Sequence, residues 1–306
     1  MSRVPESRPN SPKSLAMFIA SMLIFGTIGV FRRNLSLPSA FIACARGILG
    51  GAFILAFTLA RRRPAAERLP CRTLLLLAFT GAVMGVNWIL LFEAYNYTTV
   101  AVATLCYYMQ PTIVILLSPV VFREKLTGKK ALCALVAVAG MVLVSGVAGS
   151  GGQAGDPRGI LFGLGAAVCY ACVVIMNKRI SGVDAYRKTT VQLFSAGAAM
   201  IPYLLLAGGI GSAGISTGEA ALLAVIGLVH TGIAYVLYFG SIDGLKAQSI
   251  AIFSYIDPVS ALLFSALLLH EPLDLPGVIG AVLVIGSAAA GEIQPGWYRK
   301  GRNSAG

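Results

Sequence analysis

The chain has 306 residues, of which 57% are hydrophobic and only 12% charged, and its mean hydropathy is +0.81. A soluble domain of this length is about a quarter charged, so too little polar surface is present to face water on all sides. The net charge of +12 and pI of 9.7 would point to nucleic acid in a soluble protein, but here the basic residues sit in short loops between apolar runs, so the expected surroundings are membrane lipid and no nucleic acid.

A helix needs about 20 apolar residues to cross a bilayer core of roughly 30 Å. The first such run, Ser14–Phe31, follows Arg3, Arg8 and Lys13. It has the outline of a signal peptide. It ends, however, in Arg32-Arg33 with no small-residue cleavage site, so it reads as a retained membrane helix. The second run, 37–60, carries Arg46 near its middle. The third, 73–94, holds Asn87 and Trp88 and ends beside Glu93 near the outer surface. The fourth, 98–121, contains Tyr108, Gln110 and Pro111, and the fifth is 130–148. Five more follow: 158–177, 188–208, 219–241 with His230, Tyr235 and Tyr238, 247–269 with Tyr255, Asp257 and Pro258, and 275–291. Backbone groups in lipid must bond internally, which requires helices here because the alternation of a β-barrel is absent. The chain is thus expected to be an all-α membrane protein of ten transmembrane helices. Residues 1–13 and 292–306 form tails.

Loop charge gives an orientation. With the N-terminus cytoplasmic, 20 of the 24 basic residues fall on the cytoplasmic side. Only Arg32, Arg33 and Arg158 fall opposite, while Arg46 lies inside a span. Cytoplasmic loops carry such an excess of Lys and Arg, so both termini are expected in the cytoplasm and the protein in the cell inner (plasma) membrane. Of six cysteines, five fall within spans and Cys71 in a basic loop, with no spacing that suggests a metal site or disulfide framework.

The chain repeats itself. At an offset of 147 residues Phe92 meets Phe239, Tyr108 meets Tyr255, Pro111 meets Pro258, Ser118 meets Ser265 and Glu124 meets Glu271. Near 145 the first span meets the sixth, and near 146 Arg46 meets Gln192. Five helices is an odd number, so the second copy, 158–291, must face opposite to the first, 14–148. The loops agree: the stretch from Arg123 to Lys130 carries four basic residues, Arg123, Lys125, Lys129 and Lys130, whereas its mate His270-Glu271-Pro272-Leu273-Asp274 has no Lys or Arg. Inverted repeats of this kind recur in secondary transporters, where the two copies expose one central site to either side in turn.

The stretches Thr231–Phe239, Ala251–Pro258, Leu269–Leu273 and Gly280–Gly286, with Arg46, Tyr108, Pro111 and Glu124-Lys125-Leu126 in the first half, resemble the EamA-type carriers of the drug/metabolite transporter superfamily. The resemblance runs from about Ser14 to Gly291. It implies two inverted five-helix repeats, a central cavity, no cofactor, and export of metabolites, amino acids or drug-like molecules. Two positions depart from the family's commonest pattern: His230 stands where a small residue is usual, and Asp257 where Glu is common.

Charged and titratable groups inside a membrane are costly and mark functional sites. Asp257, beside the helix-breaking Pro258, can bind a substrate amine or a proton; its repeat mate Gln110, beside Pro111, is uncharged. Arg46 can hold a carboxylate through a bidentate pair, or can form a structural ion pair. His230 can relay protons, or can sit neutral and hydrogen-bonded. Glu93 is a candidate for gating or substrate access. Asn87, Trp88, Tyr108, Tyr235, Tyr238 and Tyr255 are candidate cavity walls, since aromatic rings bind apolar groups and cations; Tyr107 and Tyr170 belong to the same aromatic set. Glu124 and Glu271, at helix ends, read as structural. The expected function is secondary transport by alternating access, exporting small metabolites, amino acids first, with efflux of organic cations or drug-like compounds as the alternative. A lipid-modifying membrane enzyme is a distant third, because no nucleophile cluster, metal set or phosphate loop is present; no enzymatic activity is expected. The duplicated chain already supplies two halves, so a monomer is compatible.

Overall fold

The structure, a computed structural model, describes residues 11–61, 69–121, 127–144, 156–180, 182–206, 214–242, 244–245, 250 and 253–292. Among them every regular element is helical. In chain order these are α1 Pro12–Arg33, α2 Ser39–Ala60, α3 Cys71–Tyr97, α4 Val100–Tyr107, α5 Gln110–Val121, α6 Gly128–Val144, α7 Pro157–Arg179, α8 Ala185–Leu206 and α9 Thr217–Ala224. A π-helical stretch π1, Val225–Ile233, then leads into α10 Ala234–Ile242, followed by α11 Ile256–Leu268 and α12 Leu275–Glu292. Seven segments are long and apolar enough to cross a membrane: α1, α2, α3, Val100–Leu117, Pro157–Asn177, α8 and Thr217–Ile242. Three shorter apolar helices, Ala131–Leu143, Ile256–Leu268 and Leu275–Ser287, make up the rest. This is a multi-pass helical membrane protein, and the ten apolar segments fall where the hydropathy of the sequence puts them.

Large apolar side chains such as Leu59, Leu75, Val120, Leu205 and Leu206 are exposed along the helices, as lipid-facing positions require. The interior is built on close backbone approach instead. A Cβ on Gly47 of α2 would lie 2.6 Å from the Leu193 carbonyl oxygen of α8, and one on Gly81 of α3 would lie 2.4 Å from that of Gln192. Small residues let helices meet where lipid gives no hydrophobic drive to associate. The glycine pairs Gly47-Gly51, Gly81-Gly85 and Gly159-Gly163, each four apart, all sit at such contacts. In the bundle α2 packs on α8, and α6 packs on α12. Helix α1 packs on α10 and α11, while α7 packs on α3 and α4.

Several boundaries differ from the sequence reading. The span expected at 98–121 is interrupted: α4 ends at Tyr107, Tyr108 and Met109 form a turn, and α5 starts at Gln110. The 247–269 span turns at Tyr255, and α11 begins at Ile256. The helix breaks expected at the prolines are thus present, each two to three residues ahead of the proline. Pro111 and Pro258 lie in the first turns of α5 and α11, where the missing N–H has no intrahelical partner to lose. The expected loop residue Cys71 is the first residue of α3, and α3 continues past Glu93 to Tyr97. Glu93 consequently lies one turn inside the helix end rather than closing it. Glu124 lies outside the described residues.

The three basic residues that the loop count leaves apart from the rest are all engaged. Arg32, 3% exposed, donates to the Leu35 carbonyl (2.9 Å), Ser39 Oγ (3.0 Å) and Asn96 Oδ1 (3.0 Å), and Asn96 in turn donates to Glu93 (3.2 Å). Arg33 donates to the Tyr95 carbonyl and, at 3.3 Å, to that of Thr98. These are the carbonyls at the C-terminus of α3, where a cation offsets the helix dipole. Arg158 pairs with Asp156 at 2.8 Å and lies 4.7 Å over the Tyr97 ring. The side-chain hydrogen bond from Arg158 holds the Asp156 carboxyl below the usual carboxylate range.

Candidate functional site

The two interruptions and the central turns of α1, α2, α3, α7, α8 and α10 enclose a cavity of about 450 Å³. Its polar lining is Arg46, Asn87, Thr104, Gln110, Asn177, Thr189, Gln192, Ser254 and Asp257, and its walls are largely aromatic. Arg46 comes from α2. Its Nε donates to Thr231 Oγ1 at 2.8 Å, and its guanidinium carbon lies 4.2 Å from the Trp88 ring centroid. It is 5% exposed, and among the described residues no carboxylate stands within salt-bridge distance of it. The ring face of Trp88 thus does part of the work of a counter-ion.

Asp257 lies in the first turn of α11 and accepts a hydrogen bond from the Tyr108 hydroxyl. A carboxylate here also meets the positive end of the α11 dipole. The bond ties one interruption to the other, since Tyr108 caps α4 and Asp257 follows the Tyr255 turn. Gly26 lets α1 lie against α11 here, since a Cβ on it would collide with Ser260 Oγ and lie 2.9 Å from the Asp257 carbonyl oxygen. Around the pair, Tyr107 stacks on Tyr170 with centroids 5.3 Å apart, and Tyr235 meets Phe25 edge-on at 5.5 Å. Asn87 donates to the Ala166 carbonyl at 2.6 Å, but its Oδ1 is buried with no protein partner. A buried acceptor left open costs free energy.

Of the residues singled out in the sequence, the structure brings Arg46, Asn87, Trp88, Tyr108, Gln110, Pro111, Tyr235, Tyr238, Tyr255 and Asp257 together around this cavity. Pro258 is buried beside it. His230 stands behind the wall. Its Nε2 is 2.9 Å from Thr27 Oγ1, its Nδ1 is 3.3 Å from the Val225 carbonyl, and its ring lies edge-on to Phe31. Glu93 belongs to the Arg32–Asn96 cluster at the end of α3, away from the cavity lining. Glu271 is structural in detail: it accepts from Ser265 Oγ and from the Val100 amide (2.9 and 3.1 Å), so it caps the N-terminus of α4. Sequence reasoning left out Asn177, Thr189, Ser254 and Gln192 as cavity residues. The repeat held a signal for one of them, because Gln192 is the mate of Arg46; it donates to Asn177 Oδ1 at 2.8 Å in the same cavity. Among the described residues no group of three or more His, Cys, Asp or Glu side chains is placed to hold a metal.

Ten apolar helical segments around a partly open pocket with aromatic walls and a few polar groups define a multi-pass membrane protein. The EamA-like transporter family matches the sequence twice, over residues 12–146 and 157–290, and the chain belongs to that family. It is 28% identical over 284 residues to a Bacillus subtilis protein named "uncharacterized transporter YxxF", covering 92% of this chain and 90% of the other. It is 29% identical over 271 residues to an "uncharacterized transporter" of Archaeoglobus fulgidus, covering 88% and 93%. A solved crystal structure superposes with a TM-score of 0.64 at 22% identity, over 91% of this chain and 97% of that one, and shares the fold.

Proposed function

We propose that the protein is a secondary carrier of the cell inner membrane that exports small zwitterionic metabolites, amino acids first, by alternating access. The observation that carries this reading is that one cavity is lined both by a guanidinium, Arg46, with no carboxylate at salt-bridge distance among the described residues, and by a carboxylate, Asp257. A substrate carboxylate fits the first through paired hydrogen bonds. An ammonium group fits Asp257. The stacked tyrosines take the side chain. Carriage makes and breaks no bond, and the site holds binding groups rather than an activated nucleophile, so a carrier and not an enzyme is the reading. The alternative cargo, organic cations, would use Asp257 and the rings but would leave Arg46 buried without an anion.

Two inverted five-helix halves, 14–148 and 158–291, are part of the same reading. Its support is the double family match, the interruptions 147 residues apart at Tyr108 and Tyr255, and the paired contacts of α1 with α10 and α7 with α3. Inverted halves exchange conformations and so present one site to each side. The loop charges support cytoplasmic termini, and two halves in one chain support a working monomer.

Reconstitution in liposomes tests the assignment. Saturable uptake of labelled amino acids, lost in Asp257→Asn, is the expected result. Uptake of organic cations without amino acids would overturn the substrate class. Uptake of neither would overturn the carrier reading for these cargoes.

A further inference from the structure

We infer that Thr231 is a positioning residue that aims Arg46 into the cavity, and that π1 exists to put it there. This rests on Arg46 being the anion-binding group of the proposed carrier.

Thr231 is fully buried and is absent from the cavity lining, so it can act only through another group. Its hydroxyl has one proton and two lone pairs. The proton goes to the Ile226 carbonyl at 3.1 Å. The Arg46 Nε–H must then be received by a lone pair, at 2.8 Å. In an α-helix a threonine hydroxyl reaches the carbonyl three or four residues back. Here it reaches five back, as the wider π turn allows. His230 makes the same five-residue step to the Val225 carbonyl. A π-bulge shifts the side-chain register of a helix and is frequent at functional sites.

The approach is built from both sides. Gly50 lies one turn beyond Arg46 on α2, and a Cβ there would sit 2.4 Å from Thr231 Cγ2. Only glycine lets α2 lie close enough for the short reach from Nε to the hydroxyl. With Nε held by Thr231 and the guanidinium face held by Trp88, the plane of the group is fixed at two points. The four remaining N–H donors on the η nitrogens are left for a carboxylate, whose two oxygens a planar fork matches. A guanidinium free to rotate would lose that match without losing its charge.

The test compares Thr231→Val, which keeps the shape and removes both hydrogen bonds, with Thr231→Ser, which keeps the hydroxyl. All variants carry Trp297→Phe, leaving Trp88 as the single fluorophore of the two tryptophans. Thr231→Val is expected to shift the Trp88 emission in detergent and to raise the KM for a transported amino acid about tenfold, with Vmax within about twofold. The KM of the corresponding decarboxylated amine should not move, and Thr231→Ser should restore both readouts. Unchanged emission and KM in Thr231→Val, or equal loss for amino acid and amine, would overturn the inference. Arg46→Gln separates the two levels. If it leaves the amino-acid KM unchanged, the anion-binding reading fails, whereas a Trp88 shift in Thr231→Val still reports on the Arg46 geometry.

Discussion

Replacing Gly47 by Ala tests whether the α2–α8 contact holds the bundle closed. The added Cβ would lie 2.6 Å from the Leu193 carbonyl oxygen and 2.7 Å from the Gly197 amide nitrogen. Both are backbone atoms, so no rotamer change relieves the clash. Ordinary contact begins near 3.4 Å, so the helices must part by about 0.8 Å locally. A radial gap of that size forfeits a quarter to a half of the dispersion energy of neighbouring contacts, and overpacking costs about 1–3 kcal/mol. Association of membrane helices rests on such packing, so little else offsets the loss. Gly128→Ala is the control: it opens α6 with nothing within 4 Å, and the helix propensity of Ala makes it neutral or stabilising by up to about 1 kcal/mol. The assay is thermal unfolding of purified protein in detergent, followed by loss of the monodisperse peak. Gly47→Ala should melt a few degrees below wild type and Gly128→Ala at or above it. A Gly47→Ala protein as stable as wild type would refute the packing argument.

Other outcomes follow from the site and the loops. Arg46→Gln should lower amino-acid uptake at least about tenfold, the loss expected when a charged, bidentate partner is removed, measured as initial rates in liposomes. Tyr108→Phe removes the donor to Asp257 while keeping the ring, so it should change transport kinetics and lower the melting temperature by a few degrees, because a buried carboxylate left without its donor costs about 1–3 kcal/mol. Glu271→Ala strips the cap from the α4 amides and should cost about 1–2 kcal/mol, with Glu271→Gln intermediate, read from the same melting curves. Cys71 is exposed whereas Cys44 and Cys106 are buried. A membrane-impermeant maleimide should therefore label inverted vesicles and spare right-side-out ones, the signal vanishing in Cys71→Ser; the reverse pattern would overturn the orientation.

The number and placement of the apolar segments, the helical class and the resemblance to the family were legible in the residues alone. A bilayer imposes a length and a polarity on each segment in isolation, and those are properties that local composition carries. The residues also named most of the cavity, because a charged or amide side chain such as Arg46, Asp257 or Asn87 is too costly to face lipid and so has to point inward. What composition could not supply was helix rotation and local winding. His230 and Glu93 look as promising in sequence as Arg46, yet the first turns towards Thr27 and Phe31 and the second towards Asn96. The prolines marked the two breaks, but not that the turn comes two to three residues ahead of each of them. The π turn that brings Thr231 under Arg46 leaves no mark in hydropathy. Each of these was decided by which backbones meet at Gly26, Gly47, Gly50 and Gly81, since lipid-facing and core-facing apolar residues are chemically alike and only the packed neighbour distinguishes them.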